Sequence, residues 1–141
     1  MITIRQANIA DVDTIVQFSH ALFQEDAGRR DPTVNVDWAV ANGRSYFTNF
    51  MAQNGRCCWL AEDKGITVGY LAGVVREASS YHVVKTAELE SMYIMPNSRG
   101  QGIGFTLANH FLDWASEHSA QTVTVTAYVA NETAVGFYQA L

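Results

Sequence analysis

The sequence has only two cysteines and two prolines among 141 residues, and it contains no long apolar run. Cys57 and Cys58 are adjacent, so in an extended strand their side chains point to opposite faces and cannot form a relaxed disulfide. A disulfide framework is therefore excluded, and both cysteines are expected to be small buried side chains. The first residues lack a basic region, an apolar stretch and a cleavage site, so we expect a cytoplasmic protein without a membrane segment.

Basic residues are also scarce, with 9 Lys and Arg against 14 Asp and Glu and a net charge of −5. This balance disfavours nucleic acid or an anionic membrane as a partner and favours a neutral or cationic small substrate. The four histidines show no metal-ligand spacing with one another or with the cysteines, so no metal site is expected. The length and the 48% apolar content predict one globular domain over residues 1–141.

Hydrophobic periodicity predicts an alternation of strands and helices. Asn8 is expected to cap the first helix, and the segment 25–38 is expected to connect two helices irregularly. The order predicts an α/β fold with a mixed sheet flanked by helices. The expected strands are 1–7, 57–61, 67–75, 83–95 and 122–129, and the expected helices begin at Asn8, Trp38, Gly102 and Asn131.

The strongest local signal is the segment Arg99-Gly100-Gln101-Gly102-Ile103-Gly104, between a predicted strand and the most regular predicted helix. Glycines at such a turn let the backbone approach a ligand, and the unpaired N–H groups of the first helical turn favour an anion. A phosphate or pyrophosphate is the expected ligand.

Other interpretations of this turn are weaker or less specific. A Walker loop needs a Lys-Ser or Lys-Thr after the glycines, and a dinucleotide-binding turn needs Gly-x-Gly-x-x-Gly and an acidic residue about twenty positions later. Neither pattern is present. The remaining alternative is that the glycines only permit a tight turn and close helix packing.

The pattern Arg99-x-x-Gly102-x-Gly104 resembles the acetyl-CoA-binding motif of the GNAT superfamily of N-acetyltransferases. The last predicted helix of the chain, which begins at Asn131, resembles the Asn-x-x-Ala-x-x-Phe-Tyr-x-x-Leu segment of that family. The resemblance implies that acetyl-CoA lies between two diverging parallel strands, with its pyrophosphate on the backbone of residues 101–104 and its pantetheine arm along residues 92–94. The cofactor-binding residues that it implies are Met92, Tyr93, Ile94, Arg99, Gly100, Gln101, Gly102, Ile103, Gly104 and Asn131.

The resemblance also implies catalytic roles for carboxylates and a tyrosine. Glu88 and Glu90 are two apart on one strand and should share a face, where either could deprotonate or orient an amine. They could instead only attract an ammonium group or keep a strand face soluble. Tyr138 corresponds to the tyrosine that donates a proton or a hydrogen bond to the CoA sulfur. A Phe-Tyr pair can also serve only to pack a helix against its neighbour. Tyr93 is expected in the core, on the face opposite Glu90.

The resemblance implies direct transfer of an acetyl group from acetyl-CoA to a primary amine. The acidic balance and the pair Glu88 and Glu90 favour a small, cationic molecule resembling an aminoglycoside or a polyamine. The alternatives are a peptide or protein amine acetyltransferase and a CoA-binding module without catalysis. Family members normally continue beyond the last helix with two more strands, so either a shortened chain or a partner subunit, such as a second copy in a homodimer, is expected.

Overall fold

The computed structural model describes all residues from Met1 to Leu141. The chain contains five strands and five α-helices, and the strands form one mixed sheet flanked by helices, which confirms the predicted α/β class. No helix combines the length and apolar content needed to cross a membrane. The elements are β1 (Ile2–Gln6), α1 (Val12–Glu25), α2 (Ala27–Arg30), α3 (Trp38–Ala52), β2 (Arg56–Asp63), β3 (Ile66–Arg76), β4 (Thr86–Ile94), α4 (Ile103–Glu117), β5 (Thr122–Val125) and α5 (Glu132–Gln139).

The five strands form one sheet in the order β1-β2-β3-β4-β5. The pairs β1-β2, β2-β3 and β3-β4 are antiparallel, whereas β4 and β5 are parallel. The β2-β3 hairpin turns at Lys64 and Gly65, both of which have positive φ, as a two-residue hairpin turn that follows the sheet twist requires. The parallel pair requires a crossover, and α4 provides it.

Two hydrophobic layers cover the sheet, because successive side chains of each strand point to opposite faces. Cys58 and Leu60 face the layer of α1 and α3, whereas Cys57 and Trp59 face the layer of α4. Both cysteines are free and buried, as predicted. Gly43 is buried on α3, where an added Cβ would lie 3.1 Å from Val16 of α1, so the glycine permits close packing of these two helices.

A β-bulge in β4 changes which side chains share a face. Ala72 of β3 pairs with Ser91 and Gly73 pairs with Leu89, so Glu90 has no partner on β3. Leu89 lies in the layer of α4, and Tyr93 lies in the layer of α1 and α3. The expectation that Tyr93 is buried is confirmed, but its placement opposite Glu90 is wrong, because the extra residue turns both side chains to the same face.

Two strands are shorter than predicted because their partners end. The strand expected over residues 83–95 begins only at Thr86, which pairs with Arg76, the last residue of β3. Val83, without such a partner, is exposed. The strand expected over residues 122–129 ends at Val125, which pairs with Leu89 just before the bulge.

Two local expectations near the helix starts are also corrected. Asn8 caps a 3-10 turn, Ile9–Asp11, through a capping box with Asp11, and α1 follows at Val12. The connector between the first two long helices contains the single-turn helix α2. Short turns of this kind carry too few apolar positions to show a period in the sequence.

Candidate active site

The central feature of the site is a cleft that opens where β4 and β5 separate. Strand pairing ends at Leu89 and Val125, so the backbone of residues 90–94 has no strand partner on the β5 side. A cavity of about 690 Å³ occupies this opening. Its walls are β4, the glycine-rich turn with the start of α4, the segment after β5, α5, and the end of α1 with α2.

The glycine-rich turn forms one end of the cleft. Gly100 and Gly102 have φ values of 78° and 83°, and a Cβ added to either would meet only open space. Gly102 caps α4, and the first internal helical hydrogen bond runs from Thr106 N–H to Gly102 O, which leaves the preceding N–H groups unpaired. Gly104 has a packing role, since an added Cβ would lie 3.3 Å from the ring of Phe137.

Arg99 lines the cleft but already has several partners. Its Nη1 and Nη2 each donate to the Glu25 carboxylate at 2.7 Å, and its Nε donates to the Ile94 carbonyl at 2.8 Å. The guanidinium also lies 5.3 Å from the ring centroid of Tyr93. Arg99 therefore joins the end of α1 to the glycine-rich turn, and this joining function was not foreseen from the sequence.

Two residues of the last helix face the same cleft. The Asn131 side chain accepts from Ala134 N–H as the helix cap, while its Nδ2 donates to Asp26 Oδ1 at 3.0 Å. Tyr138 is half-buried on the cleft wall, and burial, followed by the negative charge of Asp26, raises the pKa of its phenol. A tyrosine with a raised pKa remains protonated at neutral pH and can donate a proton.

A second cavity, of about 580 Å³, adjoins the cleft on the side of α1 and α3. The two cavities share four lining residues, which are Leu22, Asp26, Glu90 and Ser91. The α2 segment and the start of α3 also line the second cavity. A molecule in the second cavity would thus meet a molecule in the cleft beside Glu90.

The two candidate carboxylates have different surroundings. Glu90 lines both cavities and accepts a hydrogen bond from the hydroxyl of Tyr46, whose pKa is raised by burial and then by this bond to Glu90. Glu88 lines neither cavity, and its carboxylate accepts from Arg76 Nη2 at 2.8 Å. Of the two carboxylates, only Glu90 therefore borders both cavities.

The cleft gathers most of the residues that the sequence singled out, with the exceptions of Glu88 and Gln101. It also includes charged residues for which no individual role was predicted. Asp26, Arg29 and Arg30 line the cleft from the α1-α2 junction, and the buried Nε of Arg30 has no hydrogen-bond partner. Only tertiary folding shows this placement, because the segment has no recognisable motif. No group of three His, Cys, Asp or Glu side chains is placed to hold a metal ion.

The model of the acetyltransferase (GNAT) family matches residues 17–141 of the chain. The chain belongs to the GNAT family. An uncharacterized N-acetyltransferase of Methanocaldococcus jannaschii is 29% identical to this GNAT chain over 98 residues, 70% of this chain and 43% of the relative. The match thus spans less than half the length of that relative. A second uncharacterized N-acetyltransferase, of Archaeoglobus fulgidus, is 26% identical over 92% of this chain and 86% of its own length.

Solved structures show the same GNAT fold. A predicted acetyltransferase from Clostridium acetobutylicum, solved with acetyl-CoA, has a TM-score of 0.78 and 20% identity, with 98% of this chain and 88% of that chain covered. An aminoglycoside N-acetyltransferase solved in complex with CoA has a TM-score of 0.75 and 17% identity, with 99% and 86% covered. At these identities the similarity concerns the fold.

The residues of this GNAT chain fit acetyl-CoA as a bound co-substrate. Two positive-φ glycines leave open space in front of unpaired N–H groups, as a pyrophosphate requires. The unpaired backbone of residues 92–94 borders the cleft and could pair with an amide-containing arm, although the Ile94 carbonyl already accepts from Arg99. Asn131 and Tyr138 face the same space from α5.

Proposed function

We propose that this chain is an N-acetyltransferase that moves an acetyl group from acetyl-CoA directly to a primary amine of a small molecule. The observation that carries this proposal is the contact between the two cavities at Glu90. One cavity offers the glycine-rich turn and an unpaired strand edge, and the other opens beside the same carboxylate. Direct transfer needs both reactants to meet in this way.

The chain's own residues supply binding and proton transfer. The N–H groups of residues 101–104 bind the pyrophosphate, and the backbone of residues 92–94 orients the pantetheine arm. Acetyl-CoA supplies the activated thioester. Glu90 takes a proton from the amine as its nitrogen forms a bond to the acetyl carbon, and Tyr138 gives a proton to the sulfur as the carbon–sulfur bond breaks. The products are an amide and CoA, and no acyl-enzyme forms.

The test separates Glu90 from Glu88. Glu90→Gln retains the size and the hydrogen bond to Tyr46 but removes the base, so we expect kcat to fall at least about 100-fold. Glu88→Gln lies on the same strand outside both cavities and is expected to retain wild-type kcat. Release of the CoA thiol in the presence of a panel of amines measures the rate, and calorimetry measures acetyl-CoA binding.

Three results would contradict parts of the proposal in different ways. If wild-type and both variants bind acetyl-CoA but none acetylates any amine, the chain is a CoA-binding module. If Glu90→Gln and Glu88→Gln reduce kcat equally, the assignment of the base to Glu90 rather than Glu88 is wrong. Absence of acetyl-CoA binding would remove the basis of the proposal altogether.

A further inference from the structure

The second cavity is lined by a group of four aromatic side chains. Phe23, Trp38, Tyr46 and Phe47 contribute four of its twelve lining residues. Their rings form a continuous series, with centroid distances of 6.2 Å from Phe23 to Trp38, 5.5 Å from Trp38 to Tyr46 and 5.1 Å from Tyr46 to Phe47. Such a surface binds an apolar or aromatic body through burial and ring contacts.

Negative charge in this cavity is limited to two carboxylates at the end that adjoins the cleft. Asp26 accepts a hydrogen bond from Asn131, and its carboxylate forms an ion pair with Arg30 Nε at 3.4 Å, so it already has a cationic partner. Glu90 accepts a hydrogen bond only from the neutral hydroxyl of Tyr46. One carboxylate without a cationic partner therefore remains for an ammonium group, and the aromatic walls extend away from it.

The neighbouring positive charge disfavours a substrate with several ammonium groups. Arg29 and Arg30 lie on α2 and line the cleft that meets the second cavity. A polycation would place additional charges near these guanidinium groups, without further carboxylates in the second cavity to compensate for lost hydration. A molecule with one amine and an apolar body avoids this cost.

From these observations we infer that the acceptor is a small primary amine attached to an apolar body that packs against aromatic rings. The amine lies at Glu90 and the apolar body lies among Trp38, Tyr46 and Phe47. The inference rests on the proposed function and narrows it, because the sequence alone favoured an aminoglycoside-like or polyamine-like substrate. The reaction is unchanged: a nitrogen–carbon bond forms, the thioester carbon–sulfur bond breaks, one proton passes from nitrogen to Glu90, and another passes from Tyr138 to the sulfur.

A matched panel of amines tests this inference with the intact chain and acetyl-CoA. The panel contains 2-phenylethylamine, spermidine, kanamycin and a short peptide that begins with phenylalanine. We expect kcat/KM for 2-phenylethylamine to exceed the values for spermidine and kanamycin at least about tenfold, the scale on which an apolar group is discriminated by an apolar pocket. Thiol release and the mass of the product report the transfer.

Two variants of α3 test the position of the apolar body. Trp38 is 36% exposed, so Trp38→Ala is expected to fold, and a thermal melt verifies this. It should raise KM for 2-phenylethylamine about tenfold and leave the Kd of acetyl-CoA unchanged. Val40→Ala, at an exposed position of the same helix outside both cavities, should change neither value.

The outcomes distinguish this inference from the proposed function. Faster acetylation of spermidine or kanamycin than of 2-phenylethylamine would overturn the inference and leave an N-acetyltransferase in place. A preference for the peptide would overturn the small-molecule assignment. Absence of acetyl-CoA binding in calorimetry, or binding without transfer to any amine, would overturn the proposed function and the inference with it.

Discussion

At the scale of the residue, the site depends on where a single extra amino acid falls in β4. Glu90 has no partner on β3, and its carboxylate lines both cavities. Bulges occur often beside active sites because they redirect a side chain without ending the strand. Glu88, two residues earlier in the regular part of the strand, instead pairs with Arg76. Identical side chains thus have different chemical opportunities because of local backbone geometry.

Tyr138 provides a second prediction at this scale. Its pKa is raised by burial and by Asp26, so the neutral phenol persists to higher pH than usual and can donate throughout the neutral range. We expect Tyr138→Phe to lower kcat about 100-fold with little change in acetyl-CoA affinity. In the wild type, no loss of rate due to this group should occur below about pH 10, the usual pKa of tyrosine. Initial rates from pH 6 to 10 measure kcat and its pH dependence, and calorimetry measures the affinity for acetyl-CoA.

The control for this prediction is Tyr128→Phe. Tyr128 precedes the same helix, is 37% exposed and does not line the cleft. If Tyr128→Phe and Tyr138→Phe reduce kcat equally, the loss reflects packing of α5. If Tyr138→Phe retains full kcat, its hydroxyl does not protonate the sulfur.

At the scale of the element, the sequence predicts most where a pattern is local. The apolar stripe of α4 is read directly from Ile103, Leu107 and Phe111, all of which are buried. The hairpin turn at Lys64 and Gly65 is equally local. The ends of β4 and β5 could not be predicted, because they depend on the length of β3 and on the bulge at Glu90. The opening of the cleft is therefore a tertiary property.

The second cavity is a further example of a feature that local sequence does not reveal. Its walls come from α1, the α2 segment, α3 and β4, which are separated widely along the chain. Trp38 and Tyr46 fit the periodic pattern of α3, and periodicity alone cannot distinguish a core side chain from one that lines a cavity. The motif could therefore indicate residues of the cleft, whereas the second cavity required the packed structure.

The glycine-rich turn gives a prediction at the element scale. Gly102 has a φ of 83°, so Gly102→Ala should destabilise the fold by about 1 kcal/mol through backbone strain. The added Cβ also projects from the turn beside the unpaired N–H groups, so acetyl-CoA binding should weaken about tenfold, or 1.4 kcal/mol. Urea unfolding and calorimetry measure the two effects separately.

Gly65→Ala is the matched control for backbone strain. Gly65 has a φ of 81° in the β2-β3 turn, with open space around an added Cβ, and lies outside the cleft. It should show a similar loss of stability with unchanged acetyl-CoA affinity. Equal loss of affinity in both variants would show that general destabilisation, rather than the turn itself, controls binding.

At the scale of the whole molecule, the sheet separates two helical layers, and residues from both layers border the cleft. The end of α1 belongs to one layer, and the turn that begins α4 belongs to the other. Arg99 joins them through two hydrogen bonds to Glu25, while its Nε fixes the end of β4 through the Ile94 carbonyl. The motif arginine thus has a structural function that spans both faces of the sheet.

A double-mutant cycle measures this connection across the molecule. Arg99→Gln and Glu25→Gln should each reduce the free energy of unfolding, with a coupling energy of about 0.5 to 1 kcal/mol that decreases at high salt, because both side chains are 40% exposed. The pair between Arg44 and Asp13 joins two helices of one layer, with side chains 74% and 76% exposed, and its coupling should be near zero. Equal coupling in the two pairs would mean that the bidentate bridge contributes no more than an ordinary surface contact.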